Sequence, residues 1–226
     1  MLRVDTLAGR SFLDIGSGSG LFSLAARRLG ARVVSFDFDP KSVACTRELR
    51  RRFFPDDADW RIEEGSVLDA GYVESLGRFD IVYSWGVLHH TGAMWQALAN
   101  ADLAVTQGGL LFIALYNRQQ FASAYWRFVK RTYNRFAPSR PVFVALHLLY
   151  PTLPWILLRL AQRRGIPRGM NVRTDLIDWL GGYPFEVSTP EQVFEFYRDR
   201  RYRLEKLRTV GGKMGCNEYV FRKAAD

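Results

Sequence analysis

The chain has 226 residues, 48% of them apolar, and a formal net charge of +9. Length and apolar content suit one globular α/β domain with an embellishment and exclude a disordered or fibrous chain. Two cysteines far apart, Cys45 and Cys216, give neither a disulfide framework nor a metal-ligand spacing; no metal site and a reducing, cytoplasmic setting are expected, and no N-terminal stretch has the charged-then-apolar layout of a signal peptide.

Residues 1–10 are a short lead-in. Residues 12–15 are an apolar run of strand type that breaks into Gly16-Ser17-Gly18-Ser19-Gly20. Apolar residues at helical spacing follow at Leu21, Leu24, Ala25 and Leu29. A second strand run, residues 32–36, ends in Asp37 and is closed by Pro40. This is a βαβ unit whose first turn lets a ligand approach bare backbone. An acid at the end of the second strand sits where a ribose diol needs an acceptor. The glycines are spaced G-x-G-x-G, and Leu21 stands where a dinucleotide motif has its third glycine. Asp14, two residues before the turn, would repel a pyrophosphate but could hold an ammonium group, directly or through water.

With Asp37-Phe38-Asp39-Pro40 behind it, this turn resembles the first motif of class I S-adenosylmethionine-dependent methyltransferases, an acid followed by G-x-G-x-G. The resemblance implies a Rossmann-like, doubly wound sheet of seven strands in the order 3-2-1-4-5-7-6, the last antiparallel. It also implies S-adenosylmethionine as cofactor and S-adenosylhomocysteine as product. Cofactor binding would fall to Asp14, Gly16, Ser17, Gly18, Gly20 and Asp37, with Phe38 beside the adenine. Many such enzymes carry one or two helices before the first strand, and this chain has almost none.

Residues 40–54 read as a helix with proline in its first turn and arginines on a solvated face. Residues 60–64 form a third strand leading into Gly65-Ser66-Val67-Leu68-Asp69. In the family this turn lies against the adenine, often as glycine followed by Asp. Ser66 stands in that Asp position, so backbone groups of Ser66 and Val67 are expected there, while Asp69 is either a helper or a helix N-cap. Residues 79–85 make a fourth strand, apolar enough to be buried on both faces. It ends in Gly86-Val87-Leu88-His89-His90-Thr91, which resembles the fourth-strand motif of quinone-biosynthesis and related small-molecule methyltransferases. By that resemblance Ser84 and Trp85 offer backbone carbonyls to the methionine ammonium. An imidazole titrates near neutrality, so His90, and after it His89, are the candidate bases for a hydroxyl proton; the alternative is that the pair only packs the strand end. Residues 94–106 read as a helix, residues 110–116 as the fifth strand, and Asn117 follows as a candidate substrate contact.

Residues 119–182 read as an insertion between 1–118 and 183–226. A loop leaving strand five leaves on the ligand side of a doubly wound sheet, so a mostly helical cap over the methyl group is expected. From Asn117 to Thr174 the chain has eleven Lys or Arg and no Asp or Glu. Those eleven exceed the net charge of the whole chain, so the basic character belongs to this segment. Residues 121–136 are aromatic and basic at helical spacing. Residues 142–161 are apolar for the length of a bilayer-crossing helix, but Pro151, Pro154, His147 and Arg159 favour two shorter helices, packed on the domain or lying on an anionic membrane surface. Asp175, Trp179 and Tyr183 are candidate substrate contacts. Thr189 and Pro190 start a helix, and residues 202–209 and 217–222 supply strands six and seven. The loop between them leaves on the ligand side, which nominates Lys213, with Asn217, for the acceptor.

The expectation is an S-adenosylmethionine-dependent methyltransferase acting on an oxygen of a small molecule: a phenol or quinol, or an anionic or lipid-linked glycan. It would be cytoplasmic, with peripheral contact to an anionic membrane through the basic apolar cap. An RNA methyltransferase is the rival among enzymes, but no separate RNA-binding module is visible and nucleic acid is the weaker partner. A non-catalytic binding or regulatory subunit of the same fold is the rival from another class. The sequence sets no oligomeric state.

Overall fold

A computed structural model describes residues 4–152, 172–211 and 215–225. Its strands are β1 (Ser11–Ile15), β2 (Arg32–Asp37), β3 (Trp60–Glu64), β4 (Phe79–Trp85), β5 (Val105–Tyr116), β6 (Tyr202–Arg208) and β7 (Cys216–Lys223). They form a seven-stranded sheet in the order β3-β2-β1-β4-β5-β7-β6. The pairs from β3 to β5 are parallel, and β7 runs antiparallel between β5 and β6. The order and the reversed last strand are those implied by the sequence resemblance.

Helices cover both faces, and strand alternation decides which side chain goes where. Helices α1 (Leu21–Arg28) and α2 (Pro40–Phe53) pack Leu24 and Val43 on one face, against Phe12, Val33, Ile81, Tyr83 and Phe112. On the other face α3 (Ala70–Ser75), α4 (Met94–Leu103) and α8 (Pro190–Arg198) meet Leu13, Ile15, Val82, Leu111 and Phe221. Local chemistry starts these helices. Asp39 caps α2 by accepting from the backbone N–H groups of Lys41 and Ser42, and Pro40 takes the first turn. Thr189 and Gln192 form a reciprocal capping box on α8.

One boundary differs from the sequence expectation. Helix α4 stops at Leu103 and β5 begins at Val105, inside the stretch 94–106 expected to be helical and five residues before the expected strand start at 110. The register against β4 jumps from Phe79↔Val105 to Ile81↔Leu110. The extra residues bulge out at Gly108, whose φ of 71° suits glycine.

The chain divides into two compact units, Met1–Arg118 with Val187–Asp226, and Gln119–Glu186. Tyr183–Glu186 thus fall in the second unit. Within the first, Arg118 N–H donates to the Ser188 carbonyl at 2.9 Å and Ser188 N–H to the Tyr116 carbonyl at 3.0 Å. The chain therefore leaves and re-enters this unit at one clasp.

The second unit contains α5 (Gln120–Arg135), α6 (Arg140–His147) and α7 (Val172–Gly181). Val129 and Tyr133 of α5 pack on Leu176 and Leu180 of α7. Lys130 is buried, donates to the Trp179 carbonyl, and holds its ammonium 3.9 Å from the Trp179 ring centroid. Burial pushes its pKa down to about 8. Of the apolar run 142–161, α6 and a wide turn at Leu148–Thr152 are described; its remainder lies outside the described residues. Among the described residues no helix is long and apolar enough to cross a membrane.

Candidate active site

The site grows from the β1–α1 turn. Gly16, Gly18 and Gly20 all have positive φ, at 76°, 54° and 78°. They serve different ends. A Cβ on Gly16 would lie 2.4 Å from Val87 Cγ1, so this glycine lets the turn press against the loop after β4. A Cβ on Gly18 would meet nothing within 4 Å, so its backbone faces open space. The Gly18 N–H is held by Asp37 Oδ2 at 2.9 Å, while Asp37 Oδ1 accepts from the Asp39 N–H at 2.9 Å. Ser17 is buried and pairs with Thr46 Oγ1 at 3.1 Å. Phe38, next to Asp37, is 78% exposed.

Asp14 sits behind the turn and is buried. Ser23 Oγ donates to its Oδ2 at 2.5 Å, Ser35 Oγ to Ser23 Oγ at 2.7 Å, and the Trp60 indole N–H to Ser35 Oγ at 2.9 Å. All four residues are buried, so three strands and α1 converge on one carboxylate through a directed hydrogen-bond chain. Burial pushes the Asp14 pKa up to about 7; the Ser23 hydrogen bond opposes the shift and the charge of Asp37 adds to it. Sequence reasoning missed the chain. Its signal was a serine in each of two buried amphipathic runs, Ser23 in α1 and Ser35 in β2.

Around the cradle, the structure gives the other candidates mixed roles. Ser66 Oγ accepts from the Leu68 N–H at 3.2 Å, and the Val67 carbonyl accepts from the Asn100 amide at 2.8 Å, so side chain and carbonyl brace the β3–α3 loop. Asp69 is the N-cap of α3, accepting from the Tyr72 N–H at 3.0 Å. Ser84 is buried and ties β4 to β1 through the Ile15 carbonyl at 3.0 Å. Trp85 is 43% exposed, its indole donating to Glu218 at 3.2 Å. Glu218, on β7, is a carboxylate on this sheet face that the sequence did not single out.

The histidines follow β4 on a single 3₁₀ turn, Leu88–His90. His89 is fully buried, its ring centroid 4.0 Å from that of Tyr116. It has no face toward solvent. His90 is half-buried and sets its ring edge-on to Tyr116 at 5.4 Å. Asn117 and Asn217 engage each other: the Asn217 amide donates to Asn117 Oδ1 at 3.0 Å, and the Asn117 amide to the Gly211 carbonyl at 3.1 Å. Asn217 is buried, so this pair braces the β6–β7 loop. Lys213 lies outside the described residues. In the second unit Asp175 is exposed, Tyr183 is 43% exposed, and the Trp179 ring and carbonyl are occupied by Lys130. Among the described residues no group of His, Cys, Asp and Glu could hold a metal ion.

Residues 13–111 match the family described as "Methyltransferase domain". The chain is 36% identical over 116 residues to a ubiquinone biosynthesis O-methyltransferase of Methylobacterium sp. (strain 4-46), covering 50% of this chain and 44% of that protein. The namesake from Rhizobium johnstonii is 31% identical over 132 residues, covering 58% of this chain and 51% of that one. The chain thus spans about half the length of these curated relatives. Among solved structures, magnesium protoporphyrin IX methyltransferase from Synechocystis PCC 6803 with bound SAH superposes with a TM-score of 0.58 at 12% identity, covering 96% of this chain and 76% of that one. The [4+2]-cyclase SpnF gives 0.62 at 12% identity, over 98% and 78%. Such distant likenesses concern the fold alone, and one of them carries a different reaction on it. The matched segment holds the glycine turn and the acid ending β2, and over it the chain is similar to methyltransferases.

Proposed function

We propose that the protein transfers a methyl group from S-adenosylmethionine to an oxygen of a small-molecule acceptor, a phenol or quinol first. The observation that carries this reading is the open cradle at Gly18, whose N–H is fixed by Asp37 and beside which Phe38 stands exposed. The residues fit the cofactor. Bare backbone from Gly16 to Gly20 suits its methionine part, the Asp37 carboxylate a ribose diol, and Phe38 with Val67 the two faces of a purine. Carbonyls at the end of β4, Ser84 and Trp85, suit an ammonium group, and Asp14, buried behind the turn, adds a negative charge once it ionises at about pH 7.

When bound, S-adenosylmethionine supplies an already activated methyl group on a sulfonium. What remains for the chain is to hold an acceptor oxygen in line and keep water out, work that contributes on the order of 7–11 kcal/mol in favourable systems. An acceptor hydroxyl must also lose its proton. His90 is the imidazole for that task, and buried His89 and Tyr116 fix its ring. The oxygen acceptor is supported by the names of the two curated relatives. The basic composition of residues 117–174 extends the acceptor class to anionic or lipid-linked glycans. Asp14, Asp37 and all three glycines are retained, which weighs against a non-catalytic binding subunit.

Calorimetric titration with S-adenosylmethionine and S-adenosylhomocysteine, followed by mass-spectrometric screening of catechols and quinols, tests this. Wild type should bind both ligands. Asp37→Ala should weaken S-adenosylhomocysteine about 100-fold, the loss expected when one or two charge-assisted hydrogen bonds disappear. Unchanged affinity in the variant would remove the ribose assignment, and no binding by wild type would remove the enzyme.

A further inference from the structure

Helix α5 has two unlike faces. Ser123, Val129, Lys130 and Tyr133 are buried, whereas Phe121 is 89%, Tyr125 48% and Phe128 64% exposed. Those three fall at i, i+4 and i+7, which makes one stripe. Arg131 and Arg135, three and seven residues beyond Phe128, continue the stripe, and both are exposed. Helix α6 and the turn after it repeat the pattern with aliphatic residues: Val142, Leu146 and Leu149 are 65%, 50% and 63% exposed at the same spacing. A hydrogen bond between Tyr125 Oη and His147 Nε2, at 2.9 Å, joins the two elements where the stripes meet. Burying these side chains would be worth roughly 1.5–3 kcal/mol each, so the exposed face needs a covering surface.

Charge and side-chain type decide what covers it. No acidic residue occurs from Asn117 to Thr174, against eleven basic ones. A second copy of the same face would oppose like charges. A nucleic acid would suit the arginines and aromatic rings, but Val142, Leu146 and Leu149 offer no π-face to a base. Aliphatic and aromatic side chains bordered by arginine suit the boundary between lipid headgroups and acyl chains. We propose that the α5–α6 face docks on an anionic lipid membrane surface, lying in the interface plane without crossing it.

The proposal stands apart from the methyl-transfer reading, because none of these residues was assigned to the cofactor cradle. The test is co-sedimentation of the full chain with phosphatidylcholine vesicles and with vesicles of phosphatidylcholine and phosphatidylglycerol. Wild type should pellet with the anionic vesicles, stay in the supernatant with the neutral ones, and lose binding as salt rises. Phe128→Ser with Leu149→Ser should weaken partitioning roughly tenfold or more, and Arg131→Glu with Arg135→Glu should abolish it. Circular dichroism serves as the fold control for each variant. Wild type remaining in the supernatant with anionic vesicles would overturn the proposal. So would equal binding to both vesicle types, sequestration of the stripe in a homodimer by sedimentation velocity, or retention on RNA in place of vesicles.

Discussion

Asp14 shows how much one buried carboxylate can depend on residues that never meet a ligand. Its position before the glycine turn is legible in the sequence; its environment is not, because a serine in an apolar run does not declare which polar group it will serve. Ser23, Ser35 and Trp60 become a chain only when α1, β2 and β3 are laid beside β1. The raised pKa has a testable sign. Between about pH 4 and pH 7 the folded protein keeps the Asp14 proton while the unfolded chain loses it, so this group makes stability fall as pH rises through that window. Relative to Asp14→Asn, wild type should lose up to about 4 kcal/mol from pH 4 to pH 7 and no more above it, as read from urea unfolding at each pH. A constant difference between the two proteins would mean that Asp14 is ionised throughout. The histidine pair shows the same limit of sequence reasoning. Adjacent residues on a 3₁₀ turn diverge, and only the fold shows that His89 is fully buried while His90 is half-buried.

At the scale of elements, strands and the glycine turn were readable because their signals are local: apolar runs for β1, β2 and β4, and glycines between β1 and α1. Where β5 begins was not readable. Gly108 and Gly109 look like a terminator, but pairing of Val105 with Phe79 on β4 starts the strand before them and turns the glycines into a bulge. The turn also has a partner that its own motif does not mention. Gly16 packs against Val87, seventy-one residues away in sequence. Gly16→Ala should therefore destabilise by roughly 2–4 kcal/mol, combining a strained left-handed backbone with a side-chain clash. Adding Val87→Ala should recover about 1–2 kcal/mol of that by removing the clash and leaving the backbone strain. Denaturant unfolding of both single variants and the double variant measures the coupling; strict additivity would mean that Val87 moves aside at no cost.

At the scale of the whole molecule, composition marked residues 117–174 as distinct, and the structure resolves Gln119–Glu186 as a compact unit of its own. The rest of the chain owns a complete seven-stranded sheet. Replacing residues 119–186 with a short Gly/Ser linker should leave a folded protein whose affinity for S-adenosylhomocysteine is little changed; lost methyl transfer would assign acceptor binding to the inserted unit, and retained transfer would assign it to the sheet unit. Calorimetry and an activity assay on the same preparation distinguish these effects. A variant that fails to fold would show that the sheet depends on the inserted unit.

The clasp among Tyr116, Asn117, Arg118 and Ser188 carries a consequence for how such a protein can diversify. Its two anchoring hydrogen bonds and the Asn117↔Ser188 bridge fix the points of departure and return whatever lies between them. The entropic cost of closing the loop grows only slowly with its length. A hairpin, a helix pair or a larger module can be spliced at this seam without retuning the cofactor cradle. The inserted unit can then vary in sequence and size separately from the sheet.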